Sequence, residues 1–179
     1  INFEFFQSKR SQFSFFLISS LFLVLGFLDD KFKISSNQKL FLQFFLIITA
    51  LLIDQNLVIT NLKFSNSIEI HLFNLSIIFS IFCFLIFINA FNMFDGINNQ
   101  IALYNYIFCV FLYLNNFNLI LIMIILFSNI IFSYLNLKGK IFLGDNGTLF
   151  LSYIFSYLLV KGYNFQIIDN ALDIVVLMF

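Results

Sequence analysis

The chain has no proline, no tryptophan, two cysteines and one histidine, and only 10% of its 179 residues are charged. A soluble domain carries about 25% charged residues. The shortage of charge therefore excludes an ordinary soluble globular protein and places the chain in the membrane class. Nine basic and nine acidic residues cancel, so the electrostatic footprint of a nucleic-acid binder is missing and no nucleic-acid partner is expected. The absent tryptophan removes one usual marker of the membrane interface, although seven tyrosines remain. Cys83 and Cys109 lie singly in apolar runs, without CxxC spacing or a histidine cluster, and read as small buried hydrophobes. His71 falls in a polar connection and reads as a surface residue.

What is present is apolar: 61% hydrophobic residues, 30 of them phenylalanine, and a mean hydropathy of +1.01. The skew toward Phe, Ile, Asn and Lys follows AT-rich codons, so the aromatics need no cofactor box to explain them. Seven apolar segments stand out, near 13–28, 40–53, 72–91, 101–114, 117–137, 147–160 and from 171 onward. Several are shorter than the roughly 20 residues of a full span, but flanking Ser, Asn and Tyr extend them. Only helices or closed barrels satisfy the backbone in lipid, and these runs lack the two-residue alternation of barrel strands. The expected fold is all-α: a polytopic transmembrane bundle of about seven helices, one domain over residues 1–179. The chain opens on Ile and stops inside an apolar run, so it is expected to be a fragment truncated at both ends, with no readable targeting signal.

The connections carry the chemistry. If each segment crosses once, "DDKFKISSNQK" (29–39), "NAFNMFDGINNQ" (89–100) and "KGKIFLGDNGT" (138–148) share one face. That face gathers Asp29, Asp30, Asp95 and Asp145, with Lys31, Lys33, Lys39, Lys138 and Lys140. The opposite face holds Lys9, Arg10, Lys63, Lys161 and the stretch 54–71, whose pattern predicts a small hairpin. The lysine count assigns the acidic face to the cytoplasm.

Three clusters lie on the acidic face. Asp29 and Asp30 end an apolar helix; paired carboxylates repel unless a cation sits nearby, and Lys33 and Lys39 follow. Asn89, Asn92 and Asp95 are spaced three apart and fall on roughly one helical face. A polar stripe leaving a membrane is costly unless it faces something polar; Gly96 then supplies a turn. In "FLGDNGTLF", Gly144 and Gly147 flank Asp145 just ahead of another apolar helix. Glycines let a ligand approach the backbone, helix N-termini favour anions, and an Asp beside such a site is a natural Mg²⁺ ligand for a pyrophosphate. Hard oxygen ligands with lysines nearby point to phosphoryl transfer at the membrane surface, where one substrate is a lipid.

Taken together, "GFLDDKFKIS…QKLFLQ", "NAFNMFDGIN" and "KIFLGDNGTLFL" resemble, in order, three motifs of the polyprenyl-phosphate N-acetylhexosamine-1-phosphate transferases. The resemblance covers about residues 20–160. It implies transfer of a sugar-1-phosphate from a UDP-N-acetylhexosamine to a polyprenyl phosphate with release of UMP, using Mg²⁺ (or Mn²⁺), at the cytoplasmic face of a bacterial inner membrane; a homodimer is compatible with it. By motif position, Asp145 is the metal ligand with Asn92 beside it, and Asp29, Asp30 and Asp95 are the catalytic acids, one of the pair acting as base toward the lipid phosphate. Lys33 and Lys39 lie near the phosphates, Phe142 stacks on uracil, and Asn89, Gly96 and Gly144 complete the substrate-binding set.

Three departures stand out. Glycan-initiating members often carry a second acid where Asn98 and Asn99 stand here, and the family's amino-terminal Pro/Gly-rich segment and carboxy-terminal His-x-His-His loop are not in the sequence, both as expected of a truncated fragment. "NAFNM" and the short spacing from Asp30 to Gln43 favour the glycan-initiating branch over the phospho-N-acetylmuramoyl-pentapeptide transferases. Rival classes fit less well. An intramembrane aspartyl protease would need Gly where Phe142 stands. A transporter would place its ionisable groups near mid-membrane, whereas these four acids sit at segment ends.

Overall fold

The computed structural model describes residues 8–64, 68–96, 99–117 and 119–178. Among the described residues, seven α-helices follow in order: α1 (Lys9–Phe32), α2 (Ser36–Ile53), α3 (Ser76–Met93), α4 (Gln100–Leu114), α5 (Leu119–Leu137), α6 (Gly144–Asn164) and α7 (Ala171–Met178). Between α2 and α3 lies the expected hairpin. Strands β1 (Asn61–Phe64) and β2 (Ile68–His71) pair antiparallel, with Asn61 opposite His71 and Phe64 opposite Ile68. His71 is exposed and bonds Asn61 through Nδ1 at 2.8 Å.

Among the described residues, four helical stretches are long and apolar enough to cross a membrane: Lys9–Phe32, Ser36–Ile53, Phe73–Met93 and Leu119–Leu137. Their outer faces carry exposed large hydrophobes such as Phe16, Phe41, Phe45, Ile124 and Phe127. In water such a surface would be costly; in a bilayer it is the solvent-facing side. The protein is an all-α membrane bundle.

Local sequence sets the helix ends. Ser8 caps α1, its hydroxyl accepting from Ser11 N at 3.1 Å. Lys33 ends α1 in the left-handed region at φ 51°. Gln38 reaches back to accept from the Ser35 amide and hydroxyl, marking the start of α2. A three-residue turn therefore joins two antiparallel helices, which places Asp29 and Asp30 beside the beginning of α2.

The long helix that is not among the four spanning stretches is the most central. α6 packs between α1 and α3, and Tyr153, Phe155, Tyr157, Leu158 and Leu159 are fully buried. Lys161, expected in the sixth connection, instead lies inside α6 and is fully buried. Its ammonium meets Asp54 at 3.1 Å and Tyr157 Oη at 2.8 Å and donates to Ser11 Oγ. Asp54 also accepts from Tyr157 at 2.9 Å and from the Ser11 hydroxyl. This cluster ties α1, the end of α2 and α6 together at the end of the bundle away from Asp29 and Asp145. α5 is held to α4 by buried amides, Asn129 Nδ2 donating to Ala102 O at 2.9 Å and Asn105 Nδ2 to Asn129 Oδ1 at 3.0 Å, the polar contact expected between helices in lipid.

Candidate active site

The four carboxylates meet around the first turn of α6. That helix begins after Leu143, whose side chain cannot cap it, so its first N–H groups need acceptors from elsewhere. Asp30, from the end of α1, supplies two: Oδ1 accepts from Asp145 N at 3.0 Å and Oδ2 from Asn146 N at 3.1 Å. Asp95, in the single turn of 3₁₀ helix Phe94–Gly96, accepts from Gly144 N at 2.8 Å. The anions at this helix N-terminus are therefore the protein's own carboxylates, placed where the macrodipole favours them.

Close approach makes this geometry available. A Cβ on Gly26 would lie 2.3 Å from Asn146 Cα and 2.4 Å from Asp145 O, so only glycine lets α1 come this near to α6. Gly144 adopts φ +66°, and its missing Cβ would meet the Asp30 carboxylate at 3.0 Å. Gly26→Ala is expected to lower stability by about 1–3 kcal/mol, the usual cost of overpacking. Thermal unfolding of the detergent-solubilised protein checks this, with lipid-facing Phe27→Ala remaining near wild type.

Lys39, one turn into α2, joins two of the acids. Its Nζ lies 2.6 Å from Asp29 Oδ2 and also contacts Asp145 Oδ1. Asp29, Asp145, Lys39 and Asp30 thus form one connected array. Burial pushes the Asp95 carboxyl above the usual carboxylate range against the N–H groups of Gly144 and Leu143, and the charges of Asp145 and Asp30 add to the rise.

The polar stripe on α3 is accounted for residue by residue. Asn89 Nδ2 donates to Leu85 O at 2.8 Å and to Gln43 Oε1 on α2 at 2.9 Å. Asn92 Oδ1 accepts from the Thr148 hydroxyl on α6. Asp95 holds the start of α6. A cleft of about 580 Å³ opens beside these groups, lined by Asp29, Asp30, Lys33, Lys39, Asp145, Asn89 and Asn92. Asp95 and Phe142 do not line it; Phe142 is 62% exposed in the segment before Gly144. Gly96 closes the turn that carries Asp95.

Of the two asparagines standing where a second acid often occurs, Asn98 lies outside the described residues. Asn99 takes φ 64° and ties this loop to α5, its amide donating to Asn136 Oδ1 at 2.6 Å and its Oδ1 accepting from Ser133 at 2.7 Å. Asn136 also donates to Ile141 O at 2.8 Å, so one side chain braces both loops that approach the cleft. Gly26, Gln43, Thr148 and Asn136 escape the sequence reasoning. Of these, Gly26, Gln43 and Thr148 fall inside the motif stretches, and their types alone do not reveal whom they touch.

A family model described as glycosyl transferase family 4 matches residues 12–163, a stretch containing all four carboxylates, Lys39 and both cleft asparagines. The chain belongs to this family. No curated protein and no solved structure matches it. Family membership and the apolar helices make it a membrane transferase that moves a sugar phosphate to a lipid carrier.

Among the described residues no group of three or more His, Cys, Asp or Glu is arranged to hold an ion unaided. Mg²⁺ usually takes only one or two protein carboxylates and completes its shell with phosphates and water. Asp145, with one oxygen on Lys39 and the other without a partner among the described residues, leaves an oxygen that fits that mode of binding.

Proposed function

We propose that the chain transfers an N-acetylhexosamine-1-phosphate from a UDP-sugar to a polyprenyl phosphate at the cytoplasmic face of a bacterial inner membrane. The bond between the β-phosphorus and the UMP oxygen breaks, a bond from the lipid phosphate oxygen to that phosphorus forms, and UMP leaves. What supports this reading most directly is the Asp29–Lys39–Asp145 array, set in a cleft at the end of lipid-exposed helices. It puts mixed charge where a diphosphate and a membrane-anchored phosphate can both reach.

The two neighbouring acids divide their work. Asp30 has both oxygens on backbone N–H groups of α6, so its role is to hold Asp145 in place. Among the described residues the Asp29 side chain pairs with Lys39 alone, and it lines the cleft, which makes it the acid to meet the lipid phosphate. Lys39 and Lys33 orient the phosphates by charge. Asp145, with Asn92 adjacent, would hold Mg²⁺, which neutralises charge on the phosphates when bound. Asp95 keeps Gly144 and the first turn of α6 in register.

Phe142 is assigned to the uracil ring. Its exposure leaves its face open, and it precedes Asp145 by three residues. Base stacking is worth about 1–3 kcal/mol by alanine substitution, so Phe142→Ala is expected to raise KM for the UDP-sugar about tenfold or more with kcat little changed. An unchanged KM removes the assignment.

The glycan-initiating branch is favoured over the muramoyl-pentapeptide branch by the "NAFNM" signature. A donor panel tests the proposal: UDP-N-acetylglucosamine should release UMP in the presence of polyprenyl phosphate, and UDP-N-acetylmuramoyl-pentapeptide should not. Release from the pentapeptide donor alone would move the chain to the sister branch; release of UDP in place of UMP would refute phosphosugar transfer.

A further inference from the structure

Beneath the cleft, Asn89 on α3 and Gln43 on α2 are locked in one orientation. The carbonyl of Leu85 can only accept a hydrogen bond, so the Asn89 atom 2.8 Å from it is the amide nitrogen. The second hydrogen of that nitrogen goes to Gln43 at 2.9 Å, so the receiving Gln43 atom is Oε1. Both amide hydrogens of Asn89 are engaged, and Oδ1 is the polar atom it has left for the cleft it lines. Gln43 is fully buried, does not line the cleft, and its Nε2 has no partner among the described residues. It sits four residues after Lys39 on the same face of α2.

We infer that Gln43 is a positioning residue that makes Asn89 present an acceptor oxygen, and that this oxygen takes an O–H or N–H donor of the transferred sugar. The inference rests on the transferase reading above. A phosphate oxygen is itself an acceptor and is repelled by Asn89 Oδ1, whereas Lys33 and Lys39 supply the positive charge that phosphates need. An uncharged sugar donor complements the acceptor. Without Gln43 Oε1, the Asn89 amide keeps only the Leu85 bond and is free to rotate away from this orientation.

The test uses the membrane-embedded protein and two variants. Gln43→Met keeps length and loses the acceptor; Gln43→Glu keeps an acceptor oxygen and replaces the nitrogen that has no partner. UMP release is followed against UDP-N-acetylglucosamine and against polyprenyl phosphate, with UDP-glucose as an inhibitor. Gln43→Met should raise KM for the sugar nucleotide about five- to tenfold, the weight of one hydrogen bond, with KM for the lipid unchanged. Gln43→Glu should restore most of the loss. If the UDP-glucose inhibition constant is unmoved, the donor is the acylamido N–H; if it weakens equally, the donor is a hydroxyl shared by both sugars. An unchanged sugar-nucleotide KM in Gln43→Met, or equal shifts for both substrates with a lowered melting temperature, would overturn the inference while wild-type turnover still upheld the transferase reading. Failure of wild type to release UMP would overturn that reading and this inference with it.

Discussion

Asp145→Asn is expected to reduce turnover at least about 100-fold, on the order of 3 kcal/mol of transition-state stabilisation, while insertion and folding stay normal. The substitution keeps the shape of the side chain and an oxygen for Lys39. It removes the charge of a cleft carboxylate whose second oxygen is without a partner among the described residues. Lys39 remains anchored by Asp29 at 2.6 Å, and Asp30 still holds the Asp145 and Asn146 amides, because those bonds involve only the backbone of 145 and 146. A loss of rate with an unchanged melting temperature is therefore a chemical effect. Transfer assays with Mg²⁺ titrated check it: near-normal activity at ordinary Mg²⁺ would move the metal assignment to Asp29, the neighbouring cleft acid.

The second large effect lies at the other end of the bundle. Asp54→Asn leaves the Lys161 ammonium buried without its counter-charge, and breaking one side of a buried pair costs about 3–5 kcal/mol. Unfolding of the purified protein should show this as a marked fall in melting temperature. The paired replacement Asp54→Leu with Lys161→Met should recover much of it, because well-packed apolar groups commonly replace a buried pair without loss. Acid should reproduce part of the defect. Burial alone raises the Asp54 carboxyl, but the Ser11 hydroxyl, the Lys161 charge and the bonds from Lys161 and Tyr157 outweigh it and hold the group below the usual carboxylate range. A depressed carboxyl contributes stability above its unfolded pKa, about 3.9, and loses it as pH falls through the folded value. Asp54→Asn should lack that acid-side decline.

Seven apolar segments became seven helices among the described residues, four of them long and apolar enough to cross a membrane, because apolar length marks helix in this class of chain. Alternating the connections brought Asp29, Asp30, Asp95 and Asp145 to one end because a spanning helix has only two ends to offer. Neighbour relations were not legible in the same way. Hydropathy places Lys161 outside the membrane because a charge is costly there; it cannot see that Asp54, more than a hundred residues away, makes the buried position tolerable. The start of α6 was read at 147 because its apolar run begins there. It begins at Gly144 because Asp30 and Asp95 accept the N–H groups that the local sequence leaves uncapped. Gly26 looks like any helical glycine until α6 is laid against it, and the stripe Asn89, Asn92, Asp95 announces a polar neighbour without saying that Gln43, Thr148 and Gly144 provide it.

The central claim is that this cleft moves a sugar together with its phosphate onto a lipid. Membranes containing the protein can be supplied with polyprenyl phosphate, Mg²⁺ and UDP-N-acetylglucosamine carrying ³²P in the β-phosphate, and the label followed into the organic phase. The expected result is label in a lipid-linked sugar diphosphate, matched mole for mole by UMP, and lost in Asp145→Asn. Label that stays in the aqueous phase as UDP while the sugar alone reaches the lipid, or no lipid product at all, would contradict it.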